Sequence, residues 1–154
     1  PNMREHKQGR IINISSIGGK AHEPLGGWYH ASKYGLEGLR DSMRAELKPF
    51  GIEVVIIQLG LIESEWGTIA DQRLQEISKD GAYEKFVNSE SVGGNGAKPQ
   101  IIAQTISKLL QKKKPKTRYV IGPLAKITIF SRWLLPDKMM DKIVTQFSHY
   151  YPNK

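Results

Sequence analysis

Three side chains of this sequence have the types and spacing needed to move a proton to or from a substrate oxygen. Tyr29 and Lys33 are four residues apart, so on a helix they share one face, about one turn from each other. A lysine ammonium at that distance stabilises tyrosinate relative to the phenol, which favours proton exchange near neutral pH. Ser16 adds a hydroxyl that could donate to a developing oxyanion or polarise a carbonyl. Together with a hydride acceptor, such a site would oxidise alcohols or reduce carbonyls.

The elements that must position these residues are a strand, a helix and a second strand. Residues 9–16 and 52–59 contain short aliphatic runs, which predict strands buried on both faces of a parallel sheet. Between them, a helical period predicts a helix from about Trp28 to Lys48. Its predicted core-facing stripe consists of Leu36, Leu39, Met43 and Leu47. A crossover of this length makes the two strands parallel and the connection right-handed.

The rest of the chain continues the alternation of helices and strands. The pattern predicts a polar helix over 65–86, a Gly/Ser-rich loop over 88–96, a helix opened by Lys98-Pro99 and running through Leu110, a strand at 118–122 and a helical tail over 124–150. Three strands alternating with helices indicate an open α/β sheet. Ligands of such sheets lie beyond the carboxyl ends of the strands, which is where Ser16 stands.

Residues 9–16 followed by Trp28-Tyr29-His30-Ala31-Ser32-Lys33 resemble the catalytic half of the short-chain dehydrogenase/reductase family. In that family a serine stands thirteen residues before the tyrosine of a Tyr-x-x-x-Lys motif, as Ser16 stands before Tyr29. The resemblance implies that Tyr29 is the general acid/base. It implies that Lys33 holds the nicotinamide ribose hydroxyls and favours the ionised tyrosine. It also implies that Ser16 positions and polarises the substrate oxygen.

The end of the second strand extends the resemblance. Family members often carry Pro-Gly-x-Ile/Val-x-Thr there, against the nicotinamide side of NAD or NADP. Gly60 and Ile62 match, Ser64 keeps a hydroxyl in place of threonine, and Leu59 departs from the proline. These three matching residues are therefore expected to bind the cofactor together with Tyr29 and Lys33. The segment 118–122 and the basic tail resemble the hydroxysteroid and retinol dehydrogenase subgroup.

Several elements of the family are missing from the sequence. It contains neither the glycine-rich phosphate loop Thr-Gly-x-x-x-Gly-x-Gly, nor the residue that selects NAD or NADP, nor the Asn-Ala-Gly element and the catalytic asparagine. We therefore expect an α/β fold that is the C-terminal half of a Rossmann-type, doubly wound parallel sheet. Residues 1–154 would form a single partial domain, a fragment that is inactive in isolation.

The composition sets wider bounds. The chain has 154 residues, a net charge of +8 and no cysteine, which excludes disulfides, thiolate metal sites and cysteine nucleophiles. It has no apolar run of the ~20 residues that an integral membrane segment needs and no signal peptide at its first residues, so we expect a cytoplasmic protein. The expected partner is a small-molecule alcohol or carbonyl, with a lipophilic one left open. The complete protein is expected to be a homo-oligomer.

Other interpretations compete with the enzyme. The chain could be a truncated, inactive dehydrogenase remnant that acts as an interaction module. Lys112–Lys114 invites a nucleic-acid interpretation, which we do not favour because no aromatic platform accompanies it. His22 and His30 are predicted as flanking residues, and no cluster has metal-ligand spacing. Trp66 is either a lid residue or an anchor, and the stretch 127–135 either packs, caps a pocket or meets a membrane surface.

Overall fold

The computed structural model describes residues 1–79, 81–84 and 96–147. Within these residues three parallel strands form one sheet in the order β1-β2-β3. The strands are β1 (Gly9–Ser16), β2 (Ile52–Leu59) and β3 (Arg118–Ile121). Ser16 pairs with Leu59, and Leu59 pairs with Ile121, so the carboxyl ends of all three strands meet at one edge. This is the Rossmann-type α/β arrangement that the sequence predicts.

Helices and short turns connect the strands. The helices are α1 (Asn2–Glu5), α2 (Gly27–Leu47), α3 (Glu65–Ser78), α4 (Gln100–Leu110), α5 (Ala125–Leu134) and α6 (Asp137–Phe147), and 3-10 turns cover Ile17–Gly19 and Lys48–Phe50. The predicted polar helix over 65–86 is shorter than expected, because α3 ends at Ser78. Of the predicted Gly/Ser-rich loop over 88–96, residues 88–95 lie outside the described residues. None of the helices in the described ranges is long and apolar enough to cross a membrane.

The core is centred on β2. This strand is buried on both faces, as predicted. The same prediction is wrong for β1, whose residues are mostly half-buried and whose Ile14 is 38% exposed. The reason is its place in the sheet: among the described strands β1 pairs only with β2, so its outer side is uncovered.

The connection from α2 to β2 depends on one glycine. Gly51 has a φ of 68°, in the left-handed region that favours glycine. A Cβ at this position would also collide with the carbonyl group of Lys7. Gly51 therefore lets the chain turn from α2 into β2 while passing close to the segment that precedes β1.

The core-facing stripe predicted for α2 is wrong in part. Leu39 is 57% exposed, whereas the buried residues of this helix are His30, Glu37 and Arg40. The helical period is right, but the most deeply buried residues are polar, and the predicted residues Leu36, Met43 and Leu47 are only half-buried. The physical reason is that the sheet provides polar partners for the helix. Gln58 of β2 and Arg118 of β3 both donate hydrogen bonds to the buried Glu37.

Candidate active site at the carboxyl ends of the strands

Ser16 closes β1 and begins the 3-10 turn that follows. Its Oγ accepts a hydrogen bond from the backbone N–H of Gly18 at 3.0 Å and donates to the carbonyl of Leu59 at 3.3 Å. The first bond caps the turn and fixes the position of the oxygen. The second is long for an O–H···O bond. The hydroxyl proton could therefore turn from Leu59 to a substrate oxygen at little cost.

Tyr29 and Lys33 lie in the first turns of α2, and both side chains are half-buried. The Lys33 Nζ lies 5.7 Å from the centroid of the Tyr29 ring. It also donates to the carbonyl of Ile14 at 3.4 Å. This bond holds the ammonium beside the last residues of β1, which ends at Ser16. The predicted sharing of one helix face by Tyr29 and Lys33 is thus seen in the structure.

Gly18 connects the serine to the tyrosine. Its N–H is the donor to Ser16 Oγ, and a Cβ built on it would lie 2.7 Å from Cε1 of Tyr29. No other residue would allow so close an approach without a shift of the ring. Gly18 thus contacts both Ser16 and Tyr29, while Lys33 reaches Ile14, two residues before Ser16 in β1.

His30 holds the loop of the site in place, a role that the sequence did not reveal. Its buried ring bridges two backbone groups: Nε2 accepts from the N–H of Glu23 at 3.0 Å, and Nδ1 lies 2.9 Å from the carbonyl of Gly18. A backbone N–H can only donate, so Nε2 carries no proton and Nδ1–H must be the donor to Gly18. The predicted flanking residue is therefore a clamp on the turn that carries Ser16.

Trp66 covers the ring of Tyr29 from the other side. The two ring centroids are 5.0 Å apart with a tilt of 38°, while His30 meets Tyr29 edge-on at 5.5 Å. The indole stands near the start of α3 and is 58% exposed. Trp66 therefore contacts Tyr29 and stays open to solvent, which does not decide between the lid and the anchor that the sequence left open.

Gly60, Ile62 and Ser64 are the other residues predicted to contact the cofactor, and they lie in the segment that follows β2. Gly60 donates to the carbonyl of Ile121 at 2.8 Å, and a Cβ on it would lie 2.6 Å from the carbonyl oxygen of Pro123. Packing against the segment after β3 thus requires a glycine at position 60 with or without a ligand. Ile62 forms a bridge with Ala97. Ser64 is exposed at the start of α3, and its side chain makes no capping hydrogen bond.

A buried ionic network ties α2 to the sheet below the site. Glu37, one turn after Lys33, accepts from Gln58 Nε2 at 2.9 Å and from Arg118 Nη2 at 3.0 Å, and its other neighbour is the ammonium of Lys20 at 3.7 Å. Lys20 follows the turn that begins at Ser16. Glu37 therefore joins β2, β3 and this turn to the helix that carries Tyr29 and Lys33.

Asp41 and the two arginines beside it complete the network, and their pKa values are shifted. Burial acts to lower the pKa of Arg118, but hydrogen bonds to Glu37 and Asp41 outweigh it and raise that pKa. Burial acts to raise the pKa of Asp41, but the hydrogen bond and charge of Arg118 hold it below its ordinary value. Burial, followed by the charge of Arg118, lowers the pKa of Arg40. Each shift in Asp41 and Arg118 stabilises the charged form of that group.

Comparison with known proteins shows the family of the chain. Residues 1–74 match the sequence profile described as short chain dehydrogenase. The chain is 34% identical over 149 residues to a 3-ketodihydrosphingosine reductase of Bacteroides thetaiotaomicron, covering 91% of this chain and 54% of the relative. It is 33% identical over 142 residues to an NADPH-dependent 3-dehydrocapnine reductase of Ornithobacterium rhinotracheale, covering 88% and 50%. The chain belongs to the short-chain dehydrogenase/reductase family.

The fold agrees with that assignment. A short-chain dehydrogenase from Burkholderia cenocepacia, solved in complex with NADP, superimposes with a TM-score of 0.66 at 17% identity, over 94% of this chain and 50% of that structure. This likeness concerns the fold alone. The chain spans about half the length of the relatives that it matches. Within the residues described, no group of three or more histidine and acidic side chains is placed to hold a metal ion.

Proposed function

We propose that this short-chain dehydrogenase/reductase chain carries the proton-transfer half of an NAD(P)-dependent oxidoreductase that acts on an alcohol or a carbonyl. The single observation that supports this most is the arrangement at the end of β1, where Gly18 contacts both Ser16 and Tyr29 and the Lys33 ammonium lies near the Tyr29 ring. A hydroxyl, a phenol and an ammonium at one sheet edge can serve one substrate oxygen. Because Gly18 approaches the Tyr29 ring and donates to Ser16, one residue fixes the positions of these two side chains relative to each other.

In this proposal Tyr29 is the general acid/base. When a carbonyl is reduced, the phenol gives its proton to the developing alkoxide, and in the reverse direction tyrosinate takes it back. Lys33 stabilises the ionised phenol through its positive charge. Ser16 donates a hydrogen bond to the same substrate oxygen once its hydroxyl turns away from Leu59, which stabilises the charge that develops there.

The residues at the strand ends fit the nicotinamide and ribose part of NAD or NADP. The Lys33 ammonium has three donors and uses one on Ile14, so two can reach ribose hydroxyls. When bound, the cofactor would supply or accept the hydride. Gly60, Ile62 and the exposed hydroxyl of Ser64 continue from the strand that pairs with Ser16, and we propose them as contacts on the nicotinamide side. We assign no residue to the diphosphate or adenosine, because the sequence has no glycine-rich phosphate loop.

The substrate we propose is a ketone or alcohol with a long apolar part. Two relatives, named as reductases of 3-ketodihydrosphingosine and 3-dehydrocapnine, support this class. We propose that this apolar part lies in an open, mainly apolar depression beyond the end of β3, which Ser16, Tyr29 and Lys33 do not line. It is lined by Ala97, Ile101, Val120, Ile121, Gly122, Pro123, Leu124, Ala125, Lys126 and Ile127.

Turnover after Tyr29→Phe in the protein that carries this chain tests the proposal. Loss of the proton donor should lower kcat by roughly 10²- to 10⁴-fold, with little change in cofactor affinity. Lys33→Ala should damage both, because Lys33 serves the ribose and the tyrosine together.

Tyr34→Phe is the matched control. This residue lies on the same helix and has the same side chain, but its hydroxyl donates to the carbonyl of Lys20 at 2.6 Å. Its removal should leave kcat within a few-fold of wild type. Turnover by Tyr29→Phe equal to that of Tyr34→Phe would end the assignment of Tyr29. A wild-type protein that binds NAD(P)H but reduces no carbonyl would favour the inactive interaction module instead.

A further inference from the structure

The helix α5 turns its large apolar side chains to the outside. Between 56% and 78% of each of these residues is exposed. They are Leu124, Ile127, Phe130, Trp133 and Leu134, which we call the α5 face. Ala125 is fully buried on the opposite side of the helix, where α5 contacts β3 and the 3-10 turn after Ser16. The helix thus packs through Ala125 and the half-buried Ile129, and it exposes four large apolar residues beside its capping residue Leu124, which departs from the usual core-facing pattern.

The spacing of these residues makes the face continuous. Residues 127, 130 and 134 recur at steps of three and four, so they share one side of the helix. Phe130 and Trp133 contact each other, with ring centroids 5.9 Å apart. Leu124 and Ile127 also line the apolar depression beyond β3. The α5 face and the depression are thus contiguous, and together they form a mainly apolar surface that includes Lys126.

The charges on and beside the α5 face are positive. Residues 122–136 contain two cations, Lys126 and Arg132, and no acidic residue. Lys126 is exposed and, by helical spacing, lies between Phe130 and Trp133 on the same side of α5. Arg132 is paired with Asp137 at 2.8 Å, which leaves Lys126 as the cation available to a ligand of this face. The whole chain carries a net charge of +8, so a negatively charged partner is favoured over a second copy.

The dimensions indicate which kind of partner fits. Ten residues of helix are about 15 Å long, half of the ~30 Å needed to cross a bilayer, so α5 could lie along a membrane surface but not span it. Exposed tryptophan and phenylalanine with a neighbouring lysine are the side chains that insert at the headgroup boundary.

We propose that the α5 face docks on the surface of an anionic lipid bilayer. The helix lies in the plane of the membrane, Phe130 and Trp133 enter the boundary between headgroups and acyl chains, and Lys126 meets anionic headgroups. The apolar depression then opens next to the bilayer. The proposal does not depend on the catalytic roles of Ser16, Tyr29 and Lys33.

The experiment is flotation of the chain with phosphatidylcholine vesicles and with vesicles of phosphatidylcholine and phosphatidylglycerol. We expect flotation with the anionic vesicles, which weakens as salt is raised. Trp133→Ala should lower partitioning roughly tenfold, because a large apolar contact is lost. Lys126→Glu changes only an exposed charge and should lower binding to anionic vesicles by roughly fivefold or more. Trp28→Ala, which removes another highly exposed indole from α2, should leave partitioning unchanged.

The emission of Trp133, measured after Trp28→Phe and Trp66→Phe, gives a second readout. It should shift to shorter wavelength with anionic vesicles and be quenched by brominated acyl chains. Failure of the wild-type chain to float would overturn the proposal. So would an equal loss of flotation in Trp28→Ala and Trp133→Ala. A concentration-dependent dimer in buffer that Trp133→Ala abolishes, without flotation, would show instead that a second copy covers the α5 face.

Discussion

At the scale of single residues, the backbone of the turn Ile17–Gly19 sets the positions of Ser16 and Tyr29 in the proposed site. Ser16 and Tyr29 both contact Gly18, and the carbonyl of Gly18 is held by His30. The same imidazole accepts the N–H of Glu23, so it closes the loop from Gly18 to Glu23 against α2. Without His30, the N–H of Glu23 and the carbonyl of Gly18 would each lose a hydrogen-bond partner in or beside the interior. His30 is thus a positioning residue for the turn that presents Ser16.

His30→Phe tests that role. Phenylalanine keeps the ring but offers no partner to Gly18 or Glu23, so we expect a loss of about 2 kcal/mol in the free energy of unfolding, measured by urea denaturation. His22→Phe is the control, because His22 forms an exposed pair with Asp141, and it should change stability by less than about 1 kcal/mol. Equal stability of His30→Phe and wild type would show that the clamp does not hold the turn.

The placement of Ser16, Tyr29 and Lys33 near the end of β1 was predictable, whereas the residues that support them were not; their catalytic roles stay a proposal. Ser16, Tyr29 and Lys33 were found because a hydroxyl, a phenol and an ammonium at fixed spacing point to proton transfer. His30 carried no such signal, since its partners are backbone atoms that any residue could have supplied. The stacking of Trp66 on Tyr29 depends on where α3 starts after β2, and the sequence left that geometry open between a lid and an anchor.

At the scale of elements, the most deeply buried contacts between α2 and the sheet are ionic and polar, and Leu36, Met43 and Leu47 are half-buried beside them. Glu37 is buried, and it meets Gln58, Arg118 and Lys20 from three different segments. A buried carboxylate of this kind costs desolvation, which its partners must offset. The compensation fixes where α2 sits along β2 and β3, so that Tyr29 and Lys33 reach the strand ends.

The apolar periodicity of α2 misidentified this face for a physical reason. The pattern assumes that leucines turn to the core, and it would hold if the sheet under the helix were apolar. Arg118 pairs with Ile56, and Gln58, two residues further along β2, pairs with Ser15. Arg118 and Gln58 therefore lie on the same face of the sheet. Their positions could not be combined with Glu37 until the pairing of β2 with β3 was known.

The pH dependence of stability tests the ionic attachment of α2. The pKa of Asp41 in the folded chain is below its ordinary value of 3.8, so the stabilisation is present above pH 3.8 and is lost as the pH falls through the lower, folded-state pKa. Asp41→Asn should cost about 1–2 kcal/mol at pH 7, less than for a fully buried pair because Asp41 is partly exposed. By urea denaturation at several pH values, the difference from wild type should be constant above pH 5 and shrink below pH 3.8.

Asp137→Asn is the control for the general loss of a surface negative charge, since Asp137 pairs with Arg132 in a mostly exposed position. A difference between wild type and Asp41→Asn that stays the same down to the lowest pH reached would contradict the role of the carboxylate.

At the scale of the whole molecule, the described sheet has β2 at its centre and β1 and β3 at its two edges. The strand positions follow from the sequence to the residue for β1 and β2, because aliphatic runs bounded by glycine have sharp ends. What covers each face was not predictable, because burial depends on what packs above. Ile14 and the α5 face are both exposed for that reason, although the apolar character of each was plain in the sequence.

The cofactor contacts that we propose in this chain reach only the nicotinamide and its ribose, and this division of the cofactor site leads to a prediction for the whole chain. The proposed ribose and nicotinamide contacts, Lys33, Gly60, Ile62 and Ser64, all lie at or beyond the ends of β1 and β2. No glycine-rich loop is available in the sequence for the diphosphate. The chain should therefore gain little from the adenosine half of the cofactor. We expect reduced nicotinamide mononucleotide and NADPH to bind with dissociation constants within a few-fold of each other, both weaker than micromolar, in a titration of nicotinamide fluorescence.

Lys33→Ala should weaken both ligands equally, because the lysine is proposed to contact the part that they share. Lys113→Ala, an exposed lysine beyond α4, controls for attraction between the basic chain and the phosphates. Binding of NADPH tenfold or more tighter than the mononucleotide would mean that residues of this chain recognise the diphosphate or adenosine, and the division of the site would be wrong. Loss of affinity for NADPH alone in Lys33→Ala would move the lysine away from the ribose of the nicotinamide.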